Sequence, residues 1–165
     1  MLANAVCRRS FWRRLFRVSS RLGDGVFWYL LMATMPIWTV LSGRGGLAAG
    51  FDVGLRMLVA GGFGLVLYKL LKRKLVRERP FIGLVGIECA MPPLDRYSFP
   101  SGHTLHAVTF TAIAIHAVPE LAPVLVPFAL LVAASRVVLG LHYPSDVLAG
   151  AALGAAIATA AIGWL

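Results

Sequence analysis

Residues 25–43 contain no charged side chain and are rich in Phe, Trp, Leu, Ile and Met. A stretch of that length and composition can cross a hydrocarbon core. Four more apolar runs follow, at about 50–71, 101–118, 120–141 and 146–165. The third and fourth runs are marginal in length and would lean on protein neighbours and interfacial ends. The last is almost all Ala, Leu, Gly and Ile. Its small residues Ala149, Gly150, Ala152, Gly154, Ala155 and Ala156 suit close helix–helix packing in lipid. Only 14% of the chain is charged, against roughly 25% in average soluble domains. That excludes a disordered chain and disfavours a water-soluble one. The expected fold is all-α: a transmembrane helical bundle of about five spans.

The chain is nevertheless basic, with 16 Lys and Arg against 7 Asp and Glu and a net charge of +9. Arg8, Arg9, Arg13, Arg14, Arg17 and Arg21 all lie near the N-terminus. Phe11, Trp12, Leu15, Phe16, Ser19 and Leu22 recur between them at helical spacing. That pattern predicts an amphipathic helix lying in the membrane interface. The same arginines interrupt any signal-peptide core. Residues 1–24 are therefore expected to form a basic N-terminal helix, and 25–165 the membrane domain. Nucleic acid is not an expected partner, because nothing else supplies a basic platform. Cys7 and Cys89 give neither a disulfide framework nor a metal spacing. Residues 81–99, polar and interrupted by proline, read as a cap at the membrane surface.

Ionisable residues inside apolar runs are costly and mark functional sites by default. They form three clusters. In the first, Lys72 and Arg79 are seven residues apart, with Pro80 next. Two helical turns would put both on one face, and two cations without matching carboxylates imply an anionic ligand. In the second, Pro100-Ser101-Gly102-His103 precedes the third run. Ser101 is a natural N-cap, Gly102 permits close backbone approach, and the free N–H groups of the first turn suit an anion. The third holds Ser135-Arg136, His142 and Asp146. Arg136 sits in an apolar helix and needs an anion. His142 and Asp146 flank Pro144 and are spaced to pair, fixing the imidazole tautomer. Cations and N–H donors, a His–Asp pair and a second His form a set that phosphoryl transfer uses.

In this order and spacing the three clusters resemble the signature of the type 2 phosphatidic acid phosphatase superfamily, with every motif position filled. The resemblance covers roughly 50–160 and implies roles. His142 would be the nucleophile that becomes phosphohistidine, Asp146 its orienting partner, and His103 the general acid and then base. Lys72, Arg79, Ser101, Gly102 and Arg136 would bind the phosphate. The family works without a metal, so no cofactor is expected; His106 reads as a bystander. The implied activity is hydrolysis of a membrane lipid phosphate or diphosphate: phosphatidate, phosphatidylglycerophosphate or a polyprenyl (di)phosphate. A soluble phosphate ester is the alternative substrate, and a non-catalytic anion-binding membrane protein the alternative class. Counting turns puts the N-terminal helix and all three clusters at one membrane face. Positive-inside counting then predicts a multi-pass protein of the bacterial inner membrane with its site facing the cytoplasm.

Overall fold

The computed structural model describes residues 2–163. Among these residues there are six main helices: α1 (Ser10–Leu22), α2 (Val26–Leu41), α3 (Leu47–Leu75), α4 (Gly102–Ala117), α5 (Ala122–Val138) and α6 (Pro144–Gly163). Shorter helical turns occur at Leu2–Ala5, Val6–Arg8, Pro80–Gly83 and Pro119–Leu121. Each of the five apolar runs is largely helical over its described residues. Among the described residues three helical segments, Leu47–Gly83, Pro119–Val138 and Pro144–Gly163, are long and apolar enough to cross a membrane. The count of five is therefore approximate. α2 and α4 have 16 residues each, about 24 Å at 1.5 Å per residue, short of a core of about 30 Å. α2 continues α1 through a 54° bend, and the pair passes the same test jointly.

α4 is the central helix, packed against α3, α5 and α6. The small residues of α6 explain its close seat. A Cβ on Gly150 would lie 2.5 Å from the Ser101 carbonyl oxygen, and Thr109 donates its hydroxyl to the Gly154 carbonyl at 3.1 Å. α2 and α3 meet as closely, Gly50 lying against the backbone of Pro36. Trp28 and Phe27 of α2 meet Phe128 of α5 at ring centroid distances of 5.4 and 4.1 Å. The outward faces stay apolar: Val26, Leu30, Leu41, Phe51, Leu55, Val59, Phe63, Val66, Leu130 and Leu148 are exposed. So much exposed apolar surface suits lipid as the solvent.

α1 packs on α5. Its arginine face is exposed and Phe16, Ser19 and Ser20 are buried, while Phe11, Val18 and Leu22 stay uncovered. Both this helix and the segment before it are tied down. Asn4 donates to the Val138 carbonyl at 2.9 Å, and Arg17 to the Ala90 carbonyl at 2.7 Å. Cys7 is buried and Cys89 exposed, and they are not bonded to each other. At the other end of the bundle Arg44 pairs with Glu120 at 3.0 Å.

Candidate active site

Lys72 occupies the last turn of α3 and is buried. The helix stops at Leu75, where Val76 turns left-handed at φ 37°. Arg79 therefore leaves the helix. It meets Lys72 because the chain folds back, and not, as the spacing suggested, along one helical face. The expectation of cations without a carboxylate also needs correcting. Asp95, from the 81–99 connection, lies between them: Lys72 Nζ is 2.8 Å from both its oxygens, and Arg79 donates to Oδ1 at 2.7 Å. Burial alone would raise the Asp95 carboxyl, but the bonds and charges of Lys72 and Arg79 outweigh it and hold it below the usual range.

Arg79 is fully buried. It donates to the Leu141 carbonyl at 2.7 Å and the Tyr97 carbonyl at 3.2 Å, so it fastens the loop before α6 to the 81–99 connection. Its Nη1 lies 3.4 Å from His142 Nε2. A guanidinium can only donate, so Nε2 is the unprotonated nitrogen and faces the cations. The opposite nitrogen, Nδ1, is 3.7 Å from Asp146 Oδ2, close but too long for a hydrogen bond. Asp146 is itself fixed by the Tyr143 N–H at 2.9 Å and by Arg77 at 2.7 Å. Burial lowers the His142 pKa below the ordinary imidazole value; Asp146 opposes this, and Arg136, Arg79 and Lys72 push further down. The imidazole is thus neutral, with a lone pair available.

Ser101 caps α4, its hydroxyl accepting from Thr104 N–H at 3.4 Å, while its own N–H donates to the Asp146 carbonyl at 3.0 Å. Its role here is to join the start of α4 to α6. Gly102 is buried, and a Cβ there would lie 3.1 Å from the Tyr68 ring. Arg136 is buried in α5; it donates to Ser20 of α1 at 2.5 Å, and its Nε has no partner among the described residues. His103 pairs through Nε2 with Asp24, in the turn between α1 and α2. His106 instead donates to the Gly61 carbonyl at 3.1 Å.

Lys72, Arg79, Gly102, His103, Arg136 and His142 line one cavity of about 260 Å³. Ser101 and Asp146 stand behind that wall. The cavity continues between α2 and α3 past Trp28, Met32, Leu58 and Leu65, so a cationic end opens into an apolar lane. Sequence reasoning did not single out Asp24, Ser20, Arg77 or Asp95 as site residues. Asp24 did carry a signal, as a lone acid set between Gly23 and Gly25 where the arginine helix meets the charge-free run.

A membrane-embedded helical bundle with a cationic, two-histidine pocket at one end defines the class. The sequence profile of the PAP2 superfamily matches residues 53–165, and the chain belongs to that superfamily. It is an integral membrane protein. Decaprenylphosphoryl-5-phosphoribose phosphatase of Mycobacterium tuberculosis is 36% identical over 105 residues, 61% of this chain and 56% of that protein. Phosphatidylglycerophosphatase B of Bacillus subtilis is 35% identical over 117 residues, 61% of this chain and 52% of its own. The chain thus spans about half the length of the curated relatives it matches. The crystal structure of Aquifex aeolicus LpxE superposes with a TM-score of 0.81 at 25% identity, covering 98% of this chain and 91% of that one.

Proposed function

We propose that the protein is a phosphatase of a membrane lipid phosphate or diphosphate and works through a phosphohistidine intermediate. The observation that carries this reading is the cavity itself. Three cations and two histidines line one end, and an apolar lane runs from it between two membrane helices. A phosphate head group fits the first part and a hydrocarbon tail the second. Phosphatidate, phosphatidylglycerophosphate and polyprenyl phosphate or diphosphate all have that shape, and relatives named for polyprenyl and glycerophospholipid substrates support the range.

In this reading the phosphoryl group displaces Asp95 from between Lys72 and Arg79. These cations and Arg136 then neutralise charge on its non-bridging oxygens. His142 Nε2 attacks phosphorus and forms a P–N bond while the P–O bond to the lipid breaks. His103, entering this step as the imidazolium, gives its Nδ1 proton to the departing oxygen and is left neutral. His103 then takes a proton from water, whose oxygen attacks phosphorus, releasing phosphate and restoring His142.

The test is release of phosphate from a panel of lipid phosphates in mixed micelles, set against water-soluble esters. Metal-independent turnover of a lipid, inhibited by vanadate and lost in His142→Ala, is the expected result. Turnover restricted to soluble esters would replace the lipid reading, and activity surviving in His142→Ala would sink the mechanism.

We further place the site at the cytoplasmic face of a bacterial inner membrane. The six arginines of residues 8–21 belong to the segment that carries Ser20 to Arg136 and Asp24 to His103, whereas at the other end Arg44 is neutralised by Glu120. Positive-inside counting favours that direction. Cys7 is buried, so exposed Cys89 is the useful reporter. It should resist an impermeant maleimide in intact cells and react after lysis; labelling before lysis reverses the orientation.

A further inference from the structure

We infer that Asp24 is the positioning residue of His103, so that the site contains a second His–Asp pair supplied by the N-terminal segment. The inference rests on the phosphatase reading above for its catalytic consequence, and on geometry for its existence. Asp24 Oδ1 bonds His103 Nε2. Both residues line the cavity. The His103 side chain is 11% exposed and that of Asp24 26%, so the pair is shielded without being sealed.

The placement is enforced from both sides of Asp24. On one side, Gly23 packs against Val132 of α5, where an added Cβ would lie 2.9 Å from a valine methyl. On the other, Gly25 adopts φ 140°, a conformation L side chains rarely take. The turn between α1 and α2 is therefore held close to α5 and cannot readily relax away from His103. One turn earlier Ser20 accepts from Arg136. Two site residues, His103 and Arg136, are thus held from outside the 53–165 region that matches the superfamily.

A carboxylate on Nε2 fixes the neutral tautomer with its proton on Nε2. It leaves Nδ1, which makes no hydrogen bond among the described residues, as the nitrogen that exchanges protons with substrate and water. It also counters part of what burial and the nearby charges of Arg136 and Lys72 hold against the protonated form of His103. A general acid between two cations needs such a counter-charge. Asp146 plays the corresponding part for His142, so each histidine has its own carboxylate.

Asp24→Asn, Asp24→Glu and His103→Ala test this in the full-length protein in nanodiscs. With phosphatidate, whose leaving group is an alkoxide, Asp24→Asn should lower kcat by about 10- to 100-fold, a part of the roughly 10²- to 10⁴-fold that a positioned acid contributes, with little change in KM. Asp24→Glu should recover part of the loss. The burst of nitrophenolate from p-nitrophenyl phosphate needs no proton on the leaving group and should keep its rate in Asp24→Asn. The pH profile of kcat for phosphatidate should move in Asp24→Asn. A purely structural role predicts equal losses on both substrates and a raised KM, and that result overturns the inference. So does tighter vanadate binding in Asp24→Asn, which would make Asp24 a competitor of the anion. If His103→Ala is inactive while Asp24→Asn matches wild type, this inference fails and the phosphatase reading stands. If His103→Ala is fully active, that reading fails instead. Independently of turnover, 15N-histidine NMR should show His103 as the Nε2–H tautomer and lose that signature in Asp24→Asn; an unchanged spectrum overturns the pairing.

Discussion

Asp95 is the residue whose removal discriminates most sharply among accounts of this pocket. Its carboxylate occupies the space between Lys72 and Arg79, with three contacts of 2.7–2.8 Å. A phosphate held by the same two cations has to displace it. Hydrogen bonds between charged groups are worth about 1.5–3 kcal/mol each. The Asp95 side chain is 40% exposed, so screening reduces the total markedly, and displacement costs about 1–2 kcal/mol. At 1.4 kcal/mol per factor of ten, Asp95→Ala should bind vanadate or inorganic phosphate about 5- to 30-fold more tightly. The apo protein should lose stability, because Lys72 and Arg79 then lose the carboxylate between them and Arg79 keeps only carbonyl acceptors. Calorimetric titration of wild type and Asp95→Ala with vanadate in nanodiscs reads the first effect. Thermal unfolding without and with vanadate reads the second, the anion restoring most of the loss. Anion affinity that is unchanged or weaker in a folded Asp95→Ala protein would refute the displacement and assign Asp95 to holding the clamp together.

Four further outcomes follow from the same geometry. His142→Ala should fall to background turnover, whereas Asp146→Asn, which still fills its place, should lose about 10²- to 10⁴-fold in kcat; equal losses would show that Asp146 does more than orient. The His142 pKa is lowered by burial and the surrounding cations, so below about pH 6.5 the unfolded chain takes up a proton the native site refuses. Stability should therefore fall as pH drops from 6.5 toward the lowered value, and urea titrations of His142→Gln should show a shallower slope. Arg136 Nε has no hydrogen-bond partner among the described residues, and a bound anion would supply one, so saturating vanadate should raise the wild-type melting temperature by several degrees; an equal rise in Arg136→Met would remove Arg136 from the clamp. A Cβ at Gly150 would lie 2.5 Å from the Ser101 carbonyl oxygen, so Gly150→Ala should cost about 1–3 kcal/mol and reduce activity by moving the start of α4. A melting temperature equal to wild type would show that α6 shifts freely.

The apolar runs were legible as helices because periodicity and a lack of charge need no tertiary knowledge. The Ser101 cap and the packing of Gly150 and Gly154 were legible for the same local reason. What was not legible depends on the path of the chain between helices. Nothing in the run from Lys72 to Arg79 announces that Val76 will turn left-handed, since a branched residue is a poor candidate for that conformation. Asp95 lies in a connection with no repeating pattern, so its partners cannot be read from spacing. The residues of the three motifs do line or back one cavity, yet Ser101 proves occupied with capping, and the His142–Asp146 contact is longer than their spacing implied.

The basic N-terminus shows why function cannot be apportioned by charge alone. Its arginines look like an anchor, and their exposed face suits the membrane interface. Yet the opposite face buries Ser20 against Arg136, and the helix ends in the turn that brings Asp24 to His103. An unpaired guanidinium or imidazolium at membrane depth is costly, so both need polar partners, and α4, α5 and α6 offer them few. A short helix packed on α5, with the turn that follows it, supplies those partners as Ser20 and Asp24. That arrangement couples seating of α1 to the geometry of the pocket. Disturbing its apolar edge, as in Phe16→Ala, should therefore alter the site even though the side chain never reaches the cavity.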